Sequence, residues 1–205
     1  MAGLQAGPDP AEAYLSVVSG HGYNSVPDFS LTTTEKTWVT EWANLSGGFT
    51  PYTFFGNGGS GEGLTWARNI QVGLVKANNS TTDSGLINLI GDEVIPSKRF
   101  WAFAQFSRLA WPGARRVDAS SSDSLLYVSS FLNIDGSIAT QAINNNTQAY
   151  EVSFKVHTRG HIGTAQPWVT NNDHDLTPLK FIRVGNDDTF KYVIPAHSMI
   201  TFVCS

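Results

Sequence analysis

Apolar and polar positions along this chain follow two rhythms, and the change falls near Trp111. Before it, short apolar runs alternate with loops and helical stretches. Residues 14–19 (YLSVVS) and Lys36–Glu41 (KTWVTE) read as buried strands, separated by a polar loop holding Pro27. After the loop GGFTPYTFFGNGGSGEG, the run 64–77 sets Leu64, Ala67, Ile70, Leu74 and Ala77 on one helical face. A second helix is predicted in SKRFWAFAQFSRLA, with Pro96 suited to its start and Pro112-Gly113 beyond its end. Strand, loop and helix in repetition predict an α/β layer with parallel strands.

From Arg115 onward the chain reads as serial short strands: RRVDAS, LLYVSSFLN, SIATQAIN, AYEVSFKV, QPWVTNN, LKFIRV, TFKYVIP and SMITFVC. Turn signals at Asp135-Gly136, 144–146, Gly185-Asn186 and Pro195 separate them, the spacing of an antiparallel sandwich. The predicted organisation is therefore residues 1–110 and a β-sandwich over 111–205.

Composition narrows the function classes. The charged fraction is 15% and the net charge −4, with no run of Lys or Arg, so neither nucleic acid nor an anionic membrane is an expected partner. No apolar run approaches the roughly 20 residues of a membrane helix, and the N-terminal stretch has no signal-peptide pattern. The acceptor triplets at Asn44, Asn78, Asn79 and Asn145 would matter only in a secretory compartment. Six Trp, six Tyr and twelve Phe among many Ser, Thr, Asn and Gly suit a hydroxyl-rich ligand, though the same residues are good strand formers. The one cysteine, Cys204, excludes an internal disulfide and is expected as a small core or edge residue. Nothing matches a phosphate loop, a dinucleotide fingerprint or a zinc spacing, so no cofactor and no metal is expected. Asp173, His174 and Asp175 stand together, but adjacent residues on one turn seldom converge on an ion, and a hydrogen-bonded turn is expected there.

Glu41 closes a predicted strand between Trp38 and Trp42. In parallel α/β folds functional groups gather at such strand ends, and a carboxylate there can attack an anomeric carbon. The pattern alone equally suits a solvated or ion-paired glutamate. His21 and Tyr23 end the preceding strand and could bind hydroxyls or orient Glu41; a structural histidine is the alternative.

The segments VVSGHGYNS (17–25), TWVTEWANL (37–45), GEGLTWARNIQVGLVKAN (61–78), 95–120, WVTNNDHDL (168–176) and IPAHSMITFV (194–203) together resemble glycoside hydrolase family 30, specifically its fungal endo-β-1,6-galactanase-like members. The resemblance implies an α+β chain: the last strands and helices of a (β/α)8 barrel joined to a C-terminal antiparallel β-sandwich. It implies a retaining glycosidase ancestry, with Glu41 on the nucleophile and His21, Tyr23 and Trp42 facing the sugar. It also implies a β-linked, galactan-like oligo- or polysaccharide partner and secretion.

The match fails in two places. The family's acid/base glutamate sits in an Asn-Glu-Pro motif that this chain lacks, and the apolar strand expected after 61–78 is skipped in favour of NSTTDSGLINLIGDEVIP. The resemblance thus implies a truncated enzyme, inactive alone, with Glu62, Glu35 and Asp28 poor substitutes for the missing acid. A partial barrel and a sandwich short of its N-terminal strand also imply exposed strand edges open to self-association. The alternative is a non-enzymatic carbohydrate-binding or effector-like protein that uses the sandwich and an aromatic face.

Overall fold

The computed structural model describes residues 14–21, 33–41, 50–76, 86–157 and 160–205. The architecture is α+β and mostly strand, and it falls into two compact units, residues 1–46 with 69–84 and residues 47–68 with 85–205.

The first unit holds β1 (Val17–His21) and β2 (Lys36–Glu41), paired in parallel from Val17↔Lys36 onward. Parallel neighbours cannot be joined by a tight turn, and here residues 22–35 make the connection. The chain then passes to helix α1 (Gly63–Lys76), whose residues 69–76 group with β1 and β2. Of the apolar face expected on α1, Leu64, Ala67 and Ile70 are buried, while Ala77 lies outside the described residues.

The second unit contains the rest. After β3 (Ile87–Ile90) and β4 (Glu93–Pro96), an antiparallel hairpin, comes helix α2 (Lys98–Ser107). Ser97 is its N-cap, accepting from the Phe100 N–H at 3.3 Å, so Pro96 belongs to the end of β4 rather than to the helix. Then follow β5 (Arg115–Val117), β6 (Leu126–Leu132), β7 (Ile138–Asn144), β8 (Tyr150–Lys155), β9 (Thr164–Thr170), β10 (Thr177–Pro178), β11 (Ile182–Arg183), β12 (Thr189–Ile194) and β13 (Ser198–Cys204). One large antiparallel sheet runs β10-β9-β13-β7-β6-β5, with β11 also on β9, and β8 pairs with β12 in a second, two-stranded sheet.

Strand β13 explains the layering. It is buried along almost its whole length, because both of its faces are covered. Ile200, Phe202 and Cys204 join Phe154 of β8 and Phe190 of β12 in the core between the sheets. On the alternate positions Thr201 meets α2, where the fully buried Gln105 accepts from the Thr201 hydroxyl at 2.6 Å. The same Gln105 amide donates to Trp168 O and Thr170 Oγ1 at 3.0 and 2.9 Å, tying α2 to β9 and β13. Asn133, after β6, bonds Leu109 O and the Trp111 N–H, so the residues on either side of the expected 110/111 boundary are held to the β6–β7 turn.

Candidate active site

The parallel pairing of β1 and β2 brings two of the four expected site residues to one strand end. His21 closes β1, Glu41 closes β2, and they are register partners. The register shifts between Gly20 and His21: Gly20 stands level with Val39, and His21 with Glu41. This irregularity skips Thr40, so the last positions of both strands come side by side. Bulges are rare in parallel pairs and over-represented next to functional sites. His21 is exposed and engaged in a contact of its own. Tyr23 and Trp42 lie outside the described residues.

A retaining centre needs a second carboxyl about 5 Å from the nucleophile, one that is protonated in the resting state. Glu35 precedes the first residue of β2, and at roughly 3.3 Å per residue along a strand it stands about 20 Å from Glu41. Asp28 lies outside the described residues. Glu62 is 4% exposed, in the second unit, and its oxygens accept from the N–H groups of Gly56, Asn57 and Gly58 at 3.0, 3.0 and 3.2 Å. Burial pushes its carboxyl upward, but the backbone donors of Asn57, Gly56, Gly59 and Gly58 together outweigh it and hold the group below the usual glutamate range. An ionised carboxylate committed to its own loop cannot serve as the resting acid.

The loop that Glu62 organises is fixed from outside as well. Asn172 Oδ1 accepts from the Phe54 and Phe55 N–H groups at 2.7 and 3.0 Å, and its Nδ2 donates to Phe55 O at 2.7 Å. His197 stacks on Phe55, with centroids 3.5 Å apart. Burial lowers the His197 pKa, while the Glu62 charge raises it, leaving it below the ordinary value. Lys98 pairs with Asp175 at 2.7 Å. Sequence reasoning singled out Glu62 only as a poor acid; the glycine-rich GNGGSGEG around it was the signal for its role as a loop organiser.

The Asp173-His174-Asp175 segment is the hydrogen-bonded turn expected. Asn171 Oδ1 accepts from the N–H groups of Asp173 and His174, both at 2.9 Å, and Asp175 is taken by Lys98. Among the described residues no group of three metal-ligating side chains forms. Arg115 and Arg116 are exposed, and Cys204 is buried in the core.

Comparison with known proteins shows what the chain is similar to. Residues 113–202 match the family described as the glycosyl hydrolase family 30 beta sandwich domain. The catalytic domain of the family 30 xylanase C from Talaromyces cellulolyticus is similar over 95% of this chain and 46% of its own, with 35% identity and a TM-score of 0.81. The family 30 subfamily 8 xylanase Xyn30A from Clostridium acetobutylicum is similar over 97% of this chain and 50% of its own, at 26% identity and a TM-score of 0.77. The glucuronoxylanase XynC of Bacillus subtilis is 32% identical over 108 residues, 52% of this chain and 25% of that protein. The chain is thus related to glycoside hydrolase family 30, and it spans about half or less of the length of these relatives. The relatives are xylanases, so the comparisons do not carry the galactanase-like subtype expected from the sequence.

Proposed function

We propose that the chain carries the nucleophile half of a retaining β-glycosidase centre, with Glu41 as the attacking carboxylate and His21 as its neighbour at the strand end. The observation behind this reading is the register that sets His21 beside Glu41 at the C-terminal ends of two adjacent parallel strands. Tyr23 and Trp42 complete the sugar-facing set. The substrate class is a β-linked polysaccharide, with xylan first because the similar proteins are xylanases. β-1,6-Galactan, the substrate class of the members the sequence resembles, comes second.

The chemistry divides between two carboxyls. Glu41 would attack the anomeric carbon as the glycosidic C–O bond breaks, and the leaving oxygen needs a proton from a second group. No Asn-Glu-Pro triplet is in the sequence, and neither Glu62 nor Glu35 can take that part. Without such help an unactivated glycoside is cleaved about 10²- to 10⁴-fold more slowly. The chain alone should therefore leave xylan and β-1,6-galactan essentially uncut.

The test is covalent trapping. A 2-deoxy-2-fluoro xyloside with a dinitrophenolate leaving group needs no protonation and should label the peptide holding Glu41, as read by mass spectrometry, and Glu41→Gln should abolish the label. A label on another carboxylate, or none, sinks the assignment. Calorimetric binding of xylohexaose without any label would favour a sugar-binding platform instead.

A further inference from the structure

Three asparagines stand in a row where β7 turns towards β8, and the fold gives each a different part. Asn144 is fully buried, and its Nδ2 donates to Gln148 O, Ile194 O and Pro195 O at 3.0, 3.2 and 3.0 Å. Its Oδ1 accepts from the Asn146 N–H at 2.9 Å, so both ends of this amide are spent inside the turn. The Asn146 carbonyl accepts from the His197 N–H at 3.3 Å, and the Asn146 Nδ2 is enclosed by protein. Asn145 is anchored through its main chain, whose N–H donates to Leu125 O at 3.0 Å. Its side-chain amide bonds nothing among the described residues and is not enclosed.

The sequence singles out the same residue. Asn145 heads the triplet Asn145-Asn146-Thr147, with no proline in the middle, which is the pattern of an N-glycan acceptor. Neither Asn144 nor Asn146 heads such a triplet. The acceptor pattern thus falls on the one amide of the three that the folded turn leaves neither bonded nor buried. Residues 147–149 beyond it are exposed, so a bulky group on Asn145 breaks no hydrogen bond and has solvent on its outer side. The other acceptors, Asn44, Asn78 and Asn79, lie outside the described residues.

We propose that Asn145 carries an N-linked oligosaccharide whose first sugars cover the apolar side chains beside the turn. In the transfer, the Asn145 Nδ2 bonds to the anomeric carbon of the sugar as that carbon's bond to a lipid-linked pyrophosphate breaks. The amide gives up one proton, and the lipid pyrophosphate leaves. The donor is therefore a lipid-pyrophosphate oligosaccharide, met in a secretory compartment. The neighbours to be covered are Leu125 and Tyr150, 42% and 40% exposed. Asp123 holds both in place, accepting from the Leu125 N–H at 2.7 Å and from the Tyr150 hydroxyl. Sugar rings present apolar faces as well as hydroxyls, so a glycan rooted between these two side chains takes them out of water while staying solvated itself.

The test is site occupancy in the folded chain. The full chain, secreted from a eukaryotic host, is treated with peptide N-glycosidase in heavy-oxygen water, which turns each glycosylated asparagine into a labelled aspartate. Mass spectrometry should place the label on residue 145 in most molecules. Thr147→Ser should keep it, whereas Thr147→Ala and Asn145→Gln should lose it without lowering the melting temperature of the unglycosylated chain. Amide exchange over residues 121–126 should be slower in the glycosylated chain than in Asn145→Gln. An unmodified Asn145 in the secreted chain, a label that persists in Thr147→Ala, or a glycosylated form that melts below Asn145→Gln would each overturn the proposal. Equal exchange over 121–126 would overturn the covering role.

Discussion

Glu62 shows how much one residue can organise without touching a ligand. Its carboxylate gathers the N–H groups of Gly56, Asn57 and Gly58, and charge-assisted bonds of this type are the strong ones. Glu62→Gln, which replaces one acceptor oxygen by a donor facing those N–H groups, should cost about 2 kcal/mol, measurable by urea unfolding. The folded pKa of Glu62 is lowered, so its contribution is complete above the ordinary glutamate range. It is lost as the pH falls through that range to the folded value. His197 acts in the same direction from higher pH: its folded pKa is also lowered, so below about pH 6.5 the unfolded chain takes up the proton first and stability drops. Thermal melts from pH 8 to pH 3 should show both losses, with the lower one flattened in Glu62→Gln. Cys204 gives an independent check. Burial pushes its thiol up to about 12, so a thiol reagent at pH 8 should leave it untouched until the protein is unfolded.

At the scale of elements, polar side chains join α2 to the large sheet where apolar packing would have sufficed for stability alone. Gln105→Leu keeps the volume but takes the acceptor from the Thr201 hydroxyl and a donor from Thr170 Oγ1 and the Trp168 carbonyl, at an expected cost of about 2–3 kcal/mol in denaturant titration. Gly63 opens α1 against the loop before it. A Cβ there would lie 2.7 Å from Phe54 Cδ2 and 2.9 Å from Lys98 O, so Gly63→Ala should destabilise by about 1–3 kcal/mol. The strands of the sandwich were legible as alternation bounded by turn residues, and β6, β7 and β13 start and stop within a residue or two of the expected spans. The hairpin β3–β4 was not expected as an element. Only GLINLIG carried a strand signal, and its partner EVIP is too short to show a period. The two-residue strands β10 and β11 were equally hidden, because such bridges are decided by what lies beside them rather than by their own sequence.

For the whole molecule, protection should concentrate where strands are paired on both sides and covered on both faces. Hydrogen exchange followed by mass spectrometry should find β13, β7 and β9 the slowest to exchange, with β1, β2 and the exposed-faced hairpin β3–β4 faster. Equal protection of β1–β2 and β13 would show instead that the chain unfolds as one cooperative block. Within the sandwich, Phe202 is fully buried and lies 4.7 Å from Phe154 and 5.2 Å from both Phe190 and Tyr192. Phe202→Ala should therefore cost about 3–5 kcal/mol and unfold the sandwich at a visibly lower temperature.

By itself the sequence determined both helices and the longer strands, and that Glu41 ends one of them, because periodicity and strand-end position are local properties of the chain. It also marked kinship, through blocks such as TWVTEWANL and IPAHSMITFV. Only the tertiary structure decided that His21 stands level with Glu41, since a parallel register is set by a connection far longer than any local pattern. Likewise it took the fold to bring Asn172 onto the backbone of Phe54 and Phe55 and so to fix from outside the loop that Glu62 organises. Burial and pairing are relations between distant segments, and no single segment carries them.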